Sequence, residues 1–212
     1  MSDRHLITSL ERLTQVYDVA PAPASLLKEL PIINDAYRAL IAASPFCVLA
    51  TSGPDGLDAS PRGDGPGFVR VADERTLLLP DRRGNFRLDS LKNILRDPRV
   101  GLLFLIPGVG ETLRVNGRAM ITTNPELLAS FAVDDKPLRS VLRITVDTVY
   151  FQCARALARS KLWDPGSHVD RKSLPSTGTL TTAARDHKGD ATPFDGEAYD
   201  AFLAERQKSS LY

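Results

Sequence analysis

Residues 76–96 read TLLLPDRRGNFRLDSLKNILR, and three kinds of structure meet within them. Thr76 to Leu79 is a short apolar run of strand type that ends at Pro80, and the Asp-Arg-Arg-Gly after it is a polar turn. Leu88, Leu91, Ile94 and Leu95 then make a single apolar stripe, which predicts a helix over roughly 85–96 stopped by Asp97-Pro98. A helix N-terminus offers unpaired N–H groups, and Arg82, Arg83, Arg87 and Ser90 add charge-assisted donors suited to a phosphate monoester. The competing reading is a solvated basic turn in which Arg87 and Asp89 pair at the surface.

On either side of this stretch the texture is that of strands, in runs at 46–51, 57–60, 68–71, 100–106, 112–122 and 140–152. Gly53-Pro54-Asp55-Gly56 predicts a tight hairpin between the first two, with proline where the turn wants a fixed φ and glycine where it wants a positive one. Asp73-Glu74 serves a similar turn, and a further helix is expected over 125–132 with Asn124 as its cap. Many antiparallel strands with a crossover helix and no βαβ alternation imply a mainly β chain with peripheral helices, of α+β type, built as a closed or half-closed barrel. Ahead of it, residues 1–45 read as a polar helical cap outside the core, with Leu6, Leu10 and Leu13 at helical spacing, a break at Pro21 and Pro23, and a second helix over 33–43. The barrel domain is expected over 46–165. Residues 166–212 are a Ser/Thr/Gly/Asp-rich tail with one short amphipathic segment near Tyr199, Phe202 and Leu203, either packed on a partner subunit or mobile.

Composition fits one such domain. The 212 residues are 42% apolar and 25% charged, which is globular rather than disordered. Twenty-seven basic against 26 acidic residues leave a net charge of +1, so no global field gathers nucleic acid or an anionic membrane, and any anion site is local. No apolar stretch reaches the length of a membrane span, and Cys47 and Cys153, which lack CxxC spacing, read as two buried thiols in a reducing compartment. A cytoplasmic protein is expected.

Three other segments carry polar groups in suggestive order. Ser60-Pro61-Arg62-Gly63-Asp64-Gly65-Pro66-Gly67 lets a flat ligand approach the backbone, with Arg62 and Asp64 to orient it, or is a structural turn; it is no P-loop, since no Gly-Lys-Ser/Thr follows. Glu111 to Arg118 alternates as a half-exposed strand, and Arg159-Ser160-Lys161-Leu162-Trp163-Asp164-Pro165 holds the only tryptophan. His5, His168 and His187 have no metal-ligand spacing, and neither a nucleophile elbow nor a paired-carboxylate arrangement is present. No metal is expected and no catalytic residue is named.

Taken in order, Ser44-Pro45-Phe46, Ala50 to Gly56, Ser60 to Asp64, Pro80 to Asn85, Asp97 to Phe104 and Glu111 to Gly117 resemble the FMN-binding split-barrel family related to pyridoxamine 5'-phosphate oxidase. The resemblance covers about residues 30–165. It implies a homodimer of six-stranded split β-barrels with FMN in a cleft at the subunit interface. Arg62, Gly63, Asp64 and Gly65 resemble the segment beside the isoalloxazine, Leu79 and Pro80 the following strand end, and Arg82, Arg83, Asn85, Arg87 and Ser90 the phosphate turn. Thr112 matches a polar position near the ring or ribityl chain, and Lys161 and Trp163 belong to a late element that reaches the flavin from the other subunit. Absent are the vitamin oxidase's C-terminal Gly-Gly, Arg-Val and Glu-Phe-Trp run and its Arg-x-His pair, so that activity is not expected. The resemblance implies an FMN-dependent oxidoreductase acting on a small-molecule substrate or electron donor, with no nucleic acid or membrane partner. Non-catalytic flavin storage or sensing, and a deazaflavin-dependent reductase, are the alternatives; haem is disfavoured because the barrel region has no histidine.

Overall fold

The computed structural model describes residues 5–54, 56–134, 136 and 138–209. Its strands are β1 (Phe46–Gly53), β2 (Gly56–Gly63), β3 (Arg70–Asp73), β4 (Thr76–Pro80), β5 (Arg99–Leu105), β6 (Thr112–Thr122) and β7 (Val141–Gln152). They form one sheet in the order β2-β1-β5-β6-β7-β4-β3, antiparallel at every step, with seven strands where the resemblance implies six, because the short β3 adds an edge beyond β4. The sheet wraps around its own core: Leu49, Leu77, Leu102, Leu113, Ile144 and Val149, from five strands, belong to a single buried cluster. Its outermost strands, β2 and β3, have no ladder between them among the described residues, so the barrel is split rather than closed.

Period-two burial explains why these residues make strands. On β6, Leu113, Val115 and Ala119 point inward while Asn116, Arg118 and Met120 face out. β7 buries Val146 and then Val149, three residues on, because an extra residue interrupts its register opposite Asn116 and Gly117. Gly117 is required there: a Cβ would lie 2.2 Å from the Thr145 carbonyl oxygen. The β1–β2 hairpin closes with Gly53 opposite Gly56, whose φ of 121° is the positive value the turn needs; Asp55 lies outside the described residues. Two strands differ from expectation, β2 because it runs on to Gly63. Phe68 and Val69 are buried ahead of β3, which starts only at Arg70.

The helices are α1 (Leu10–Val16), α2 (Pro23–Leu27), α3 (Asp35–Ala43), α4 (Asp89–Arg96), α5 (Pro125–Ser130), α6 (Arg155–Ser160), α7 (Thr177–His187) and α8 (Gly196–Ser209). Asn124 caps α5 as expected, accepting from the Leu127 amide. The expectation that residues 1–45 stay out of the core holds for α1 and α2, which bury nothing, and fails for α3. Ile33, Tyr37 and Ile41 join the main core, and Leu30 bridges to Val149 on β7. In the tail, α7 and α8 pack so closely that a Cβ at Gly178 would meet the Gly196 carbonyl oxygen at 2.0 Å, whereas the sequence suggested a single short helix. The thiols also part company: burial pushes the Cys47 pKa up to about 12, but Cys153 is exposed, and the Arg155 amide helps hold its pKa below the usual thiol value. No described helix is long and apolar enough to cross a membrane.

Candidate functional site

β2 is an edge strand, and its even-numbered residues Asp58, Ser60 and Arg62 turn half-buried side chains toward the segment that joins β4 to α4. Between them lies a cleft of about 1080 Å³, floored by Pro80 and Phe68 and closed on the far side by the loop from α5 to β7. That is at the upper end of the volume small-molecule sites occupy. The three walls are stitched by hydrogen bonds. Arg62 Nη1 donates to Asp81 Oδ1 at 2.8 Å, Arg82 Nε donates to Asp64 Oδ2 at 2.6 Å, and the Asp81 amide donates to the Ser140 carbonyl. Arg82 also reaches the Phe131 carbonyl. These two crossed ion pairs are largely withdrawn from water, so each ties β2 and the loop after it to the turn.

The turn itself departs from the sequence reading. α4 begins at Asp89 and not near Asn85, because Phe86 (φ 59°) and Leu88 (φ 62°) both occupy the left-handed region. Leu88, the N-cap residue, provides no side-chain cap, and one carboxylate from β2 and one from the helix gather there instead: Ser90 Oγ donates to Asp58 Oδ2 at 2.6 Å, and Asp89 accepts from Arg87 Nε at 2.7 Å. The Arg87–Asp89 pair is exposed, at 74% and 40%, which is the surface pairing that the sequence left open. Arg83, Lys136 and Arg139 line the same cleft with no carboxylate partner among the described residues. Arg62 Nε is a buried donor without an acceptor in this wall.

Of the residues the sequence singled out, Arg62, Gly63, Pro80, Arg82, Arg83, Asn85, Arg87 and Ser90 come together in the cleft. Asp64 stands behind it as the partner of Arg82; Gly65 follows, outside the lining; and Leu79 turns its side chain into the core. Thr112, Lys161 and Trp163 lie elsewhere. Thr112 faces Gln152 at the end of the β6–β7 ladder opposite to Val141 and Pro80, about 33 Å along the strand at 3.3 Å per residue. Trp163 donates from Nε1 to the Val109 carbonyl, and Lys161, with φ 51°, ends α6. Sequence reasoning passed over Asp58, Lys136, Leu138 and Arg139. The alternation along β2 was available as a signal for Asp58; nothing local marks Arg139, which arrives because β7 pairs with β4.

Residues 33–153, more than half of the chain, match the sequence profile of the pyridoxamine 5'-phosphate oxidase family. This chain belongs to that family. The family segment runs from two residues before α3 to one residue past β7, so it contains the whole sheet and every cleft residue described above. Among solved structures, the chain is similar to HupZ of Group A Streptococcus (19% identity over 55% of this chain and 91% of that one, TM-score 0.45). It is also similar to General Stress Protein 26 from Bacillus anthracis (18%, 53% and 88%, TM-score 0.42) and to an FMN-binding protein from Syntrophomonas wolfei (14%, 54% and 82%, TM-score 0.41). These likenesses are too distant for a property of those proteins to pass to this family member. No curated protein sequence matches it.

The cleft suits a phosphorylated flavin on its own evidence. It pairs a wide slot that has an apolar floor with cations that lack carboxylates, and it holds one buried arginine N–H with no acceptor. Among the described residues no group of three or more His, Cys, Asp or Glu could hold a metal ion.

Proposed function

We propose that this chain is an FMN-binding oxidoreductase that works on a small molecule as a homodimer in the cytoplasm, with an N-terminal helical cap at 1–45 whose α3 is seated in the core, a split barrel at 46–165 and a tail at 166–212. The observation that carries this reading is the joining of Arg62, Arg82, Arg83, Asn85 and Ser90 in one cleft whose cations outnumber its carboxylates. Arg83 and the backbone amides at the start of α4 would hold the phosphate, while Arg62, Gly63 and Pro80 would flank the ring. When bound, FMN supplies the capacity to accept and donate electrons as hydride or in single steps, so the protein needs no acid–base pair of its own. The protein's part is to fix the ring between β2 and the turn, and the crossed Arg62–Asp81 and Arg82–Asp64 pairs make that wall stiff before anything binds. Thr112, Lys161 and Trp163 cannot line the cleft of their own protomer, so in this reading a second copy brings them to it.

An absorbance spectrum of the freshly purified full chain, followed by mass analysis of the released ligand, tests the reading. Twin flavin bands with FMN released support it, and oxidation of NAD(P)H by the loaded protein establishes turnover. A colourless protein that FMN does not reconstitute overturns it; release of a deazaflavin, or flavin binding with no turnover toward any acceptor, replaces it with the corresponding alternative.

A further inference from the structure

The N-terminal arm, residues 5–29, lies ahead of the segment that the family profile matches and lines no part of the cleft. Leu6, Leu10, Leu13 and Tyr17 follow one another at steps of four, three and four residues, the spacing of an apolar seam that packs on a second surface. Among the described residues their own protomer gives them no such surface. α1 and α2 bury no residue, and nine large apolar side chains between Leu6 and Leu27 are 41% to 84% exposed. The seven residues of α1 are too few to sustain a helix in water by backbone hydrogen bonds alone, so its stability has to come from what it packs against.

Charge and area indicate what that is. Residues 5–29 hold two basic and three acidic side chains, so no field draws the arm to nucleic acid or to an anionic membrane. At roughly 60–120 Å² for a fully exposed apolar side chain, the nine leave about 350–700 Å² in water, as much as the largest apolar patch of an ordinary monomer. One arm laid on an unrelated protein buries about twice that, roughly 700–1,400 Å² in all, and falls short of the ~1,600 Å² of a standard stable interface. Two arms exchanged between two copies bury roughly 1,400–2,800 Å², which reaches it.

The root of the arm points the same way. The Leu30 amide donates to the Val149 carbonyl, and Lys28 Nζ lies 4.8 Å from the centroid of the Phe151 ring, so the arm leaves the barrel at the end of the β6–β7 ladder that holds Thr112 and Gln152. Trp163 is tied to Val109, just ahead of that end of β6. A second copy that brings Thr112 and Trp163 to the cleft therefore brings the arm with them.

We propose that the arm is a clasp, and that the apolar seam of each protomer lies on the barrel of a second copy of this chain. The inference rests on the homodimer in the reading above and adds the element that holds it together. The test uses the full chain, with sedimentation over a dilution series and hydrogen exchange of the α1 amides. Wild type is expected to dimerise, with α1 protected in the dimer and unprotected in the monomer. Leu10→Glu and Leu13→Glu together should weaken the dimer at least about a hundredfold; because α1 buries nothing in its own protomer, the circular dichroism of the barrel should stay as it is. Leu10→Met should keep the dimer, and Leu180→Glu, at a position 56% exposed on α7, should leave it unchanged. A doubly substituted chain that dimerises as wild type does, α1 protection that persists in the monomer, or protection gained only with anionic phospholipid vesicles overturns the clasp alone. A wild-type chain that stays monomeric at every concentration overturns the clasp and the homodimer beneath it, while its flavin spectrum still judges the cofactor separately.

Discussion

Arginine–aspartate pairs stand at both ends of α4, and they do different work. In the turn that leads into it, Arg62–Asp81 and Arg82–Asp64 are between 9% and 19% exposed and join segments far apart in sequence. Past its end, Arg99 forks onto Asp97 two residues away, with the arginine 70% exposed. The chemistry and the distances are nearly the same, 2.6 to 2.8 Å. What differs is water. A pair shielded from solvent leaves an uncompensated charge when one member is lost, whereas an exposed pair hands its charges back to solvent and salt. The first kind shapes a site; the second only finishes a turn.

The largest effect should come from breaking the shielded pair. Asp81→Ala strands Arg62 against the cleft wall and is expected to destabilise the fold by about 3 kcal/mol, the low end for a buried pair, as read from urea unfolding midpoints. A loss under about 1 kcal/mol would put the two ends of α4 on the same footing and remove the contrast. Next in size is a comparison inside the cleft. Arg83→Ala should weaken FMN by about 2 kcal/mol because this cation has no carboxylate of its own, while Arg87→Ala, already matched by Asp89, should weaken it by less than about 1 kcal/mol. Equal losses in direct titrations would show that the Arg87–Asp89 pair opens on binding. Smallest is Asp97→Asn. The Arg99 fork holds the Asp97 carboxyl at about 2, below its unfolded value, so its contribution is present above about pH 4 and is lost as pH falls through about 2. The variant should melt slightly below wild type at neutral pH, by a difference that salt erases, and converge with it as pH falls toward about 2; a difference at neutral pH that salt does not erase would show the exposed pair to be worth more than its setting allows.

Much of this architecture is legible in the sequence. The run at 112–122 becomes β6 with the same bounds, and the glycine-bounded hairpin and the Asn124 cap rest on rules that act within a few residues. The start of α4 was misplaced because Phe86 and Leu88 adopt a conformation that no propensity assigns to phenylalanine or leucine, so the helical periodicity ran on past the real boundary. Residues such as Arg139 were invisible for a different reason. They reach the cleft through a sheet order in which β4 lies beside β7 and not beside β5, and a one-dimensional pattern does not say which strands are neighbours. Likewise, the sequence places the helix over 33–43 in a cap outside the core, yet Tyr37 and Ile41 of α3 fill the core.

The β4–β7 ladder also fixes a moment in the life of the chain. Pro80 meets Val141 only after everything between them has been synthesised and the long loop they enclose has closed, which makes this the kind of contact that forms late. Both the Asp81–Ser140 hydrogen bond and the approach of Arg139 to Phe86 depend on that closure. A nascent chain that has released only its first five strands therefore has its basic turn but not the wall that ends at Ser140, and the cleft is complete only when the last strand of the sheet arrives.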